Sequence, residues 1–399
     1  MIKTRLSSSR LLFVRSHAFG GICHSQQPDR QDPPSERLTA HSIMDAITLS
    51  AIIFLLAAGI WAWRNLYYWY YTNGLMEFLG QCIMNDQSPS GQPFKVLCSN
   101  GRFPTFDMQL KGPSAFQLLF FENWNYPDAT WAGFYFIGSF CASWALIVLE
   151  SLRGYNLHNF GIGSWTTIPG LLMFNHTPAI YLPLYLGARL ALVTPSILTP
   201  SDLAVNPIQL EILPWSFVIG YVAPFVVLLL PDFRIRGVSV KQSTAAWWQQ
   251  WPAYVALCQL LLSLIWRPAV TSSPPATEAW PQVQSVYMFI FVLAGVSHWA
   301  SVLGAFATGV SMTDLFLPAL PGKDVKARHG WDAAKWCVQW DVVLDTPAMI
   351  LWAGVLYWQT GAVMDSSFLQ RLILNCFLAG PLGIPIGLLW ERDAFVLSI

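Results

Sequence analysis

The chain has 399 residues, of which only 11% are charged and 54% are hydrophobic, and its formal net charge at pH 7 is zero. Soluble domains carry about 25% charged residues, and one core cannot remove this much apolar surface from water. Together with a mean hydropathy of +0.44, this composition excludes an ordinary soluble domain. No run of Lys or Arg resembles a phosphate-binding patch, so no nucleic acid is expected as a partner.

The apolar runs predict the fold class. A transmembrane helix needs about 20 mostly apolar residues, and in hydrocarbon such a run must be a helix because its backbone donors are then paired internally. We predict an all-α, polytopic transmembrane helical bundle of about eight spans, in one domain over residues 44–399. The predicted spans are residues 47–63, 129–149, 165–187, 212–230, 247–266, 286–308, 339–358 and 368–390.

Residues 1–43 have a different character. Lys3, Arg5, Arg10 and Arg15 precede any acidic residue, which resembles a mitochondrial presequence. Met44 stands directly before the first predicted span. Two interpretations stay open: residues 1–43 are a disordered N-terminal extension, or translation starts at Met44.

The positive charges of the short loops predict the orientation. An even number of spans places both termini on the same side. The short loops and tail of that side hold Arg153, Arg234, Arg236, Lys241, Lys323, Lys326, Arg328, Lys335 and Arg392, whereas the opposite short loops hold Arg189, Arg267 and Arg371. We therefore expect a multi-pass protein of the endoplasmic reticulum with both termini in the cytosol.

Several membrane chemistries lack their motifs. His158, His176, His298 and His329 are too scattered to form the histidine boxes of di-iron enzymes, and no adjacent Asp pair is present to hold magnesium and diphosphate. Walker A, HExxH and G-x-S-x-G patterns are also missing. The sequence therefore predicts chemistry without a metal or a cofactor.

Two acids in the seventh predicted span are the main candidates for catalysis. Asp341 and Asp345 are four residues apart, so they share one face of a helix. Pro347 removes the backbone bond to Val343 and is expected to kink or open the helix there. Two carboxyl groups so close in a low dielectric cannot both ionise cheaply, so one is expected to stay protonated and act as a general acid. The alternative is that both lie at the headgroup level, in contact with water or Lys335.

Other polar residues near apolar runs are secondary candidates. Glu122 and Trp124 are expected to cap the same cavity, and the alternative for Glu122 is an ordinary interfacial acid. Asn175 and His176 lie inside the third predicted span, where they bind a polar group, accept a proton or bond a neighbouring helix. Glu150 lies at a span end and is expected to be a solvated helix terminus.

The 20 tryptophans are numerous for a chain of this length. Trp and Tyr gather at membrane interfaces, which explains a belt such as Trp61–Tyr71. Trp340 and Trp352 are expected to line a cavity near the acids and to bind substrate. Aromatic faces stabilise cations by roughly 0.5–2 kcal/mol each. An acid enclosed by such faces and shielded from water suits a reaction through carbocations.

The C-terminal residues carry a family resemblance. A Gly-Pro turn at Gly380–Pro385 is followed by an apolar helix and the charged string Trp390-Glu391-Arg392-Asp393. With the many spans, the Trp-rich helices and the intramembrane acids, this resembles the integral membrane terpene cyclases of fungal meroterpenoid and indole-diterpene biosynthesis, in particular the longer ascofuranone and ascochlorin cyclases. The resemblance implies a metal-independent enzyme that protonates an epoxide or alkene through an acidic side chain.

We therefore expect a terpene cyclase whose substrate is a prenylated and epoxidised small molecule and whose surroundings are the lipid bilayer. Asp341 or Asp345 would donate the proton, and Glu122 or His176 would orient the donor or remove the final proton. No obligate protein partner is expected. The alternatives are a sterol-type double-bond isomerase, which needs no epoxide, a proton-coupled transporter, which needs a pathway open to both sides, and a purely structural membrane protein.

Overall fold

The structure is a computed structural model that describes residues 34–94, 102–122, 124–157, 166–192, 198–235, 238–266, 277–322 and 325–397. Most of the described residues are helical, which confirms the all-α class. Residues 44–399 form one compact unit. Residues 1–33, to which most of the predicted N-terminal extension belongs, lie outside the described residues.

The helices of the N-terminal half supply most of the functional site. The first helix continues through a π-helical turn, Trp63–Tyr67, into the second. The helices are α1 Pro34–Ala62, α2 Tyr68–Thr72, α3 Leu75–Met84, α4 Pro104–Phe121, α5 Pro127–Ser151, α6 Gly154–Leu157, α7 Thr167–Asn175 and α8 Pro178–Leu192.

The C-terminal half contains a short antiparallel hairpin, β1 Arg234–Ile235 and β2 Val238–Ser239, beside its helices. A second π-helical turn, Val218–Val222, joins α9 to α10. The helices are α9 Pro207–Phe217, α10 Ala223–Leu229, α11 Val240–Trp248, α12 Trp251–Ile265, α13 Trp280–Ala307, α14 Met312–Phe316, α15 Gly330–Trp358, α16 Ser366–Ala379 and α17 Gly383–Val396.

Helix α5 is the centre of the core. Nearly all of its side chains are buried, and it packs along α13 and against α15 and α4. The approach to α13 is close because Gly138 faces Ser297, so that a methyl group at position 138 would overlap the Ser297 side chain. Small residues at such crossings let helix backbones approach each other where lipid supplies no hydrophobic drive.

Four described helices are long and apolar enough to cross a membrane: Ala46–Thr72, Pro127–Ser151, Pro207–Leu229 and Trp280–Ala307. They correspond to the first, second, fourth and sixth predicted spans. The predicted count of eight is not confirmed, because the other four runs are interrupted or richer in charge. Membrane association itself follows from these apolar helices.

Three predicted spans are broken where one continuous helix was expected. The third span divides between α7 and α8, the fifth between α11 and α12, and the eighth between α16 and α17. A proline lies inside the last break, Pro381, and within the first two residues of the helix after each of the other two, Pro178 and Pro252. Proline lacks a backbone N–H and disfavours helical geometry in the residue before it, so helices end there. At the last break Gly380 has φ 68°, a left-handed value that favours glycine.

The seventh predicted span behaves differently. Helix α15 is 29 residues long and continues without a break through Pro347. The expected opening at this proline is therefore absent, and Asp341 and Asp345 stay on one regular helix.

A buried group of four charges closes one end of the bundle, where α5, α13 and α17 meet. Arg392 donates to both carboxylate oxygens of Glu150, at 2.8 and 2.9 Å, and Arg153 donates to Glu150 and Asp393. Tyr287 of α13 also donates to Asp393 at 2.8 Å. All four charged side chains are fully buried, so the expectation that Glu150 is a solvated helix terminus is wrong. Two positive and two negative charges balance, as charges in a low dielectric require.

We predict that Glu150→Gln strongly destabilises the protein. The substitution leaves two buried arginines beside one aspartate, and breaking a buried pair in this way costs roughly 3–5 kcal/mol. Fluorescence-detected thermal unfolding in detergent micelles measures the effect.

Glu391→Gln is the matched control, because Glu391 forms an ion pair on the surface with Arg371 at 2.7 Å, with side chains 34% and 45% exposed. Such pairs contribute about 0–1 kcal/mol, so its unfolding temperature should stay close to that of the wild type. Equal effects of the two substitutions would contradict the structural role of the buried group.

Candidate active site

The break between α7 and α8 determines where the central acid lies. The first N–H groups of a helix have no partner within the helix, and inside a membrane they need one from elsewhere. Asp341 of α15 supplies it: its Oδ1 accepts a hydrogen bond from the backbone N–H of Ala179 at 3.0 Å and another from the hydroxyl of Thr177. The positive end of the α8 dipole therefore points at this carboxyl group, which is only 3% exposed.

Asp345 lies one turn further along the same face of α15. It is also buried, and among the described residues its Oδ1 has no hydrogen-bond partner. Burying a carboxylate that has no hydrogen-bond donor costs much free energy, whereas burying the neutral acid costs far less. When only one of the two acids is ionised, the environment therefore favours an ionised Asp341 and a protonated Asp345.

Asp341 faces a cavity of about 380 Å³. This lies within the range of about 300–1,000 Å³ that is usual for small-molecule sites. Helices α2, α3, α4, α5, α7, α8 and α15 all contribute to its wall. The lining residues are Tyr70, Leu75, Met76, Leu79, Gly80, Ile83, Gly112, Pro113, Phe116, Gln117, Phe120, Phe136, Ile137, Phe174, Asn175, His176, Pro178, Gln249, Cys337 and Asp341.

The aromatic part of this wall consists of Phe116, Phe120, Phe136, Phe174 and Tyr70. These rings lie on four helices, α2, α4, α5 and α7, so they surround the space on several sides. They present π faces or edges without polar groups, except for the hydroxyl of Tyr70. The cavity is thus apolar apart from a few polar side chains, of which Asp341 is the buried acid.

The tryptophans predicted to bind substrate lie elsewhere. Trp340 donates to the carbonyl of Ala319 at 2.9 Å and packs on Trp61, and Trp352 lies beside the Arg189 guanidinium. Neither is among the residues that line the cavity. Residues on the same helix as an acid often point to other neighbours, because successive side chains are about 100° apart.

Glu122 is not brought to the cavity either. Its carboxylate accepts hydrogen bonds from the Ser88 hydroxyl at 2.7 Å and the Ser90 backbone N–H at 3.1 Å. It therefore ties the segment after α3 to the end of α4. Trp124 is half-exposed and packs against Trp131, away from the lining residues.

Asn175 and His176 do line the cavity, as does Met76 of α3. These three are the exposed members of the described wall, so they mark its mouth. The Asn175 amide donates to the carbonyl of Leu171 at 2.8 Å, which stabilises the end of α7. His176 stands in the break itself, where its ring lies 5.7 Å from that of Tyr181.

Tyr70 and Gln117 are lining residues that the sequence analysis missed. Tyr70 belongs to a stretch interpreted as an interfacial belt, yet both it and Trp69 are buried. Gln117 lies on the same face of α4 as Pro113, Phe116 and Phe120, so the helical periodicity of this segment would have predicted it.

The fold and the site define a helical membrane protein with a buried acid in an apolar, aromatic cavity. The chain belongs to the family described as the CtvD domain, whose model matches residues 50–397. It is 27% identical to terpene cyclase ctvD of Aspergillus terreus over 68% of this chain and 79% of the relative. It is 27% identical to terpene cyclase janA of Penicillium janthinellum over 79% and 84% of the two chains.

A third relative, terpene cyclase ascI of Acremonium egyptiacum, is 25% identical over 62% of this chain and 68% of its own. These relatives confirm the resemblance to fungal terpene cyclases. No solved structure matches the chain significantly.

We predict that Thr177→Val lowers the unfolding temperature, whereas Thr177→Ser leaves it nearly unchanged. Valine keeps the shape but removes the hydroxyl that donates to Asp341, at a cost of about 1 kcal/mol or more. Serine keeps the donor. Thermal unfolding of both variants in detergent tests this. A valine variant as stable as the wild type, or a serine variant less stable than the valine variant, would show that the methyl group, and not the hydroxyl, matters.

Proposed function

We propose that the protein is a membrane-bound terpene cyclase that closes rings in a prenylated, epoxidised precursor of fungal secondary metabolism. One observation carries the proposal: a buried carboxyl group, Asp341, faces a cavity whose wall is otherwise mainly apolar and aromatic. The relatives are named terpene cyclases, which supports the same reaction. The double-bond isomerase and the transporter have no such support.

Asp341 is the proton donor of the proposal, in which both acids are protonated before the reaction starts. Its two hydrogen bonds both go to Oδ1, so Oδ2 is the oxygen that carries the proton. The proton passes to the epoxide oxygen, one C–O bond breaks with its electron pair going to oxygen, and a carbocation forms on the chain. The bonds at Oδ1 and the α8 dipole stabilise the carboxylate that remains, which makes Asp341 the stronger acid.

Asp345 supports this step from one turn away. As the neutral member of the pair it adds no negative charge beside Asp341 when that group ionises. A charged Asp345 would oppose the loss of the proton from Asp341. The two acids therefore have different roles on one helix face.

The aromatic wall acts on the cation. Each ring face contributes roughly 0.5–2 kcal/mol of attraction, and more where water is excluded. The nearest alkene then attacks the cation to close a ring, and a proton is finally lost to a base. His176 is the base of the proposal because it lines the cavity mouth, which Glu122 does not.

The proposed reaction uses neither a metal nor a cofactor. The described residues contain no group of three or more His, Cys, Asp or Glu side chains that could hold a metal ion. Diphosphate release, for which terpene synthases use magnesium, is not part of an acid-initiated reaction.

We also propose the endoplasmic reticulum membrane. The charge count that predicted both termini in the cytosol grouped Lys335 with Arg153 and Arg392, but these residues lie at opposite ends of α5. Lys335 pairs with Asp128 at the start of α5, whereas Arg153 and Arg392 pair with Glu150 at its end. The charge count therefore does not support the predicted orientation of the termini.

The acid role is tested in microsomes that contain the expressed protein and are given an epoxidised prenyl precursor. Because cyclisation is an isomerisation, liquid chromatography with mass spectrometry detects a product with the mass of the substrate and a different retention time. Asp341→Asn should lower its formation by about 10²–10⁴-fold, since asparagine still accepts at Oδ1 but carries no acidic proton. Asp345→Asn should lower it less.

Asp332→Asn is the matched control, an acid in the first turn of the same helix that does not line the cavity. It should keep wild-type activity. Full activity in both Asp341→Asn and Asp345→Asn would end the assignment. Conversion of the precursor without an epoxide, but not of the epoxide itself, would instead favour the double-bond isomerase.

A further inference from the structure

Gln117 has no evident structural task. It lies on α4 with only 4% of its surface exposed, and it lines the cavity between Phe116 and Phe120. Within the described part of the chain, neither the Oε1 nor the Nε2 atom of its amide has a hydrogen-bond partner. The same face of α4 otherwise presents Pro113 and the two phenylalanines to the cavity.

Another buried glutamine shows what a structural role looks like. The Nε2 group of Gln339 on α15 donates to the carbonyls of Asp314 and Leu315, at 2.7 and 3.0 Å. It thereby fixes α14 to α15. Gln117 makes no comparable contact, although an unpaired buried amide group costs about 1–3 kcal/mol. A hydrogen-bonding ligand in the cavity would offset this cost.

We propose that Gln117 binds the polar head group of the substrate, and that this group presents a hydrogen-bond donor next to an acceptor. A primary amide offers an acceptor oxygen and a donor nitrogen side by side, so its full complement is a lactam or a hydroxy-carbonyl ring. The terminal torsion of glutamine is soft, so the amide can turn towards the bound ring. An indole has one N–H donor and no acceptor, and it would leave Nε2 unpaired.

The inference rests on the proposed function and narrows its substrate class. An oxygenated aromatic or heteroaromatic head, as in a meroterpenoid precursor, satisfies both amide atoms, whereas an indole-diterpene precursor satisfies one. Sites built to bond a polar group reject analogues that lack it, because their own buried groups are then left unpaired. Gln117 is thus a positioning and specificity residue beside the acid.

Binding, and not turnover, provides the test, since unepoxidised analogues bind without reacting. A farnesylated hydroxypyridone and a farnesylated indole are titrated against the purified full chain in detergent, and dissociation constants come from ligand-induced shifts of the unfolding temperature. Wild-type protein should bind the pyridone about tenfold or more tightly than the indole, as one additional hydrogen bond in a buried site allows.

Gln117→Leu should bring this ratio close to one, and the ligand-free variant should unfold at or above the wild-type temperature because an unpaired amide is gone. Gln117→Asn withdraws the amide by one methylene and should give an intermediate ratio. Gln359→Leu changes a buried glutamine outside the lining residues and should leave the ratio unchanged.

An unchanged ratio in Gln117→Leu overturns the inference, and so does a wild-type preference for the indole. A strong loss of ligand-free stability in Gln117→Leu with an unchanged ratio would assign the residue a structural role. Failure of the proposed function is a separate result: wild-type microsomes would then cyclise neither epoxidised compound, whatever the binding ratio.

Discussion

Inside a membrane, a backbone that leaves the helix needs hydrogen-bond partners from the rest of the protein, and this constraint organises the site. The chain breaks at His176 and Thr177, and the freed N–H of Ala179 finds Asp341. The break thus fixes α15 against α8 and holds the carboxyl group at the cavity wall. Asp341, the acid proposed to start the chemistry, is also a structural link between two helices, so its position is determined by the fold.

The sequence allowed the helical class, four of the spans and the pairing of Asp341 with Asp345 on one face to be predicted, because each depends on local composition or periodicity. The breaks in three spans were missed although Pro178, Pro252 and Pro381 marked them, since mean apolarity outweighed the local signal. Partners distant in the chain were not predictable. Glu122 bonds Ser88 and Glu150 bonds Arg392, and neither pairing follows from spacing.

The buried charges show that a short run of charged residues does not indicate a solvent-exposed segment. In Trp390-Glu391-Arg392-Asp393, which resembles a charged tail, Arg392 and Asp393 face inward to Glu150 and Arg153, whereas Glu391 faces outward to Arg371. Helical geometry separates neighbours by about 100°, so adjacent charges belong to different environments. Here the inward pair ties the last helix to α5, so α17 becomes part of the core.

The glycines in the cavity wall have a consequence for how such a protein diversifies. An added methyl group at Gly80 would meet no atom within 4 Å, and one at Gly112 would come no closer than 3.5 Å to Ile83. Larger side chains at these two places would fill the chamber without disturbing the packing behind it. A single substitution can therefore shorten the space open to a bound molecule, while the acid and its supports stay as they are.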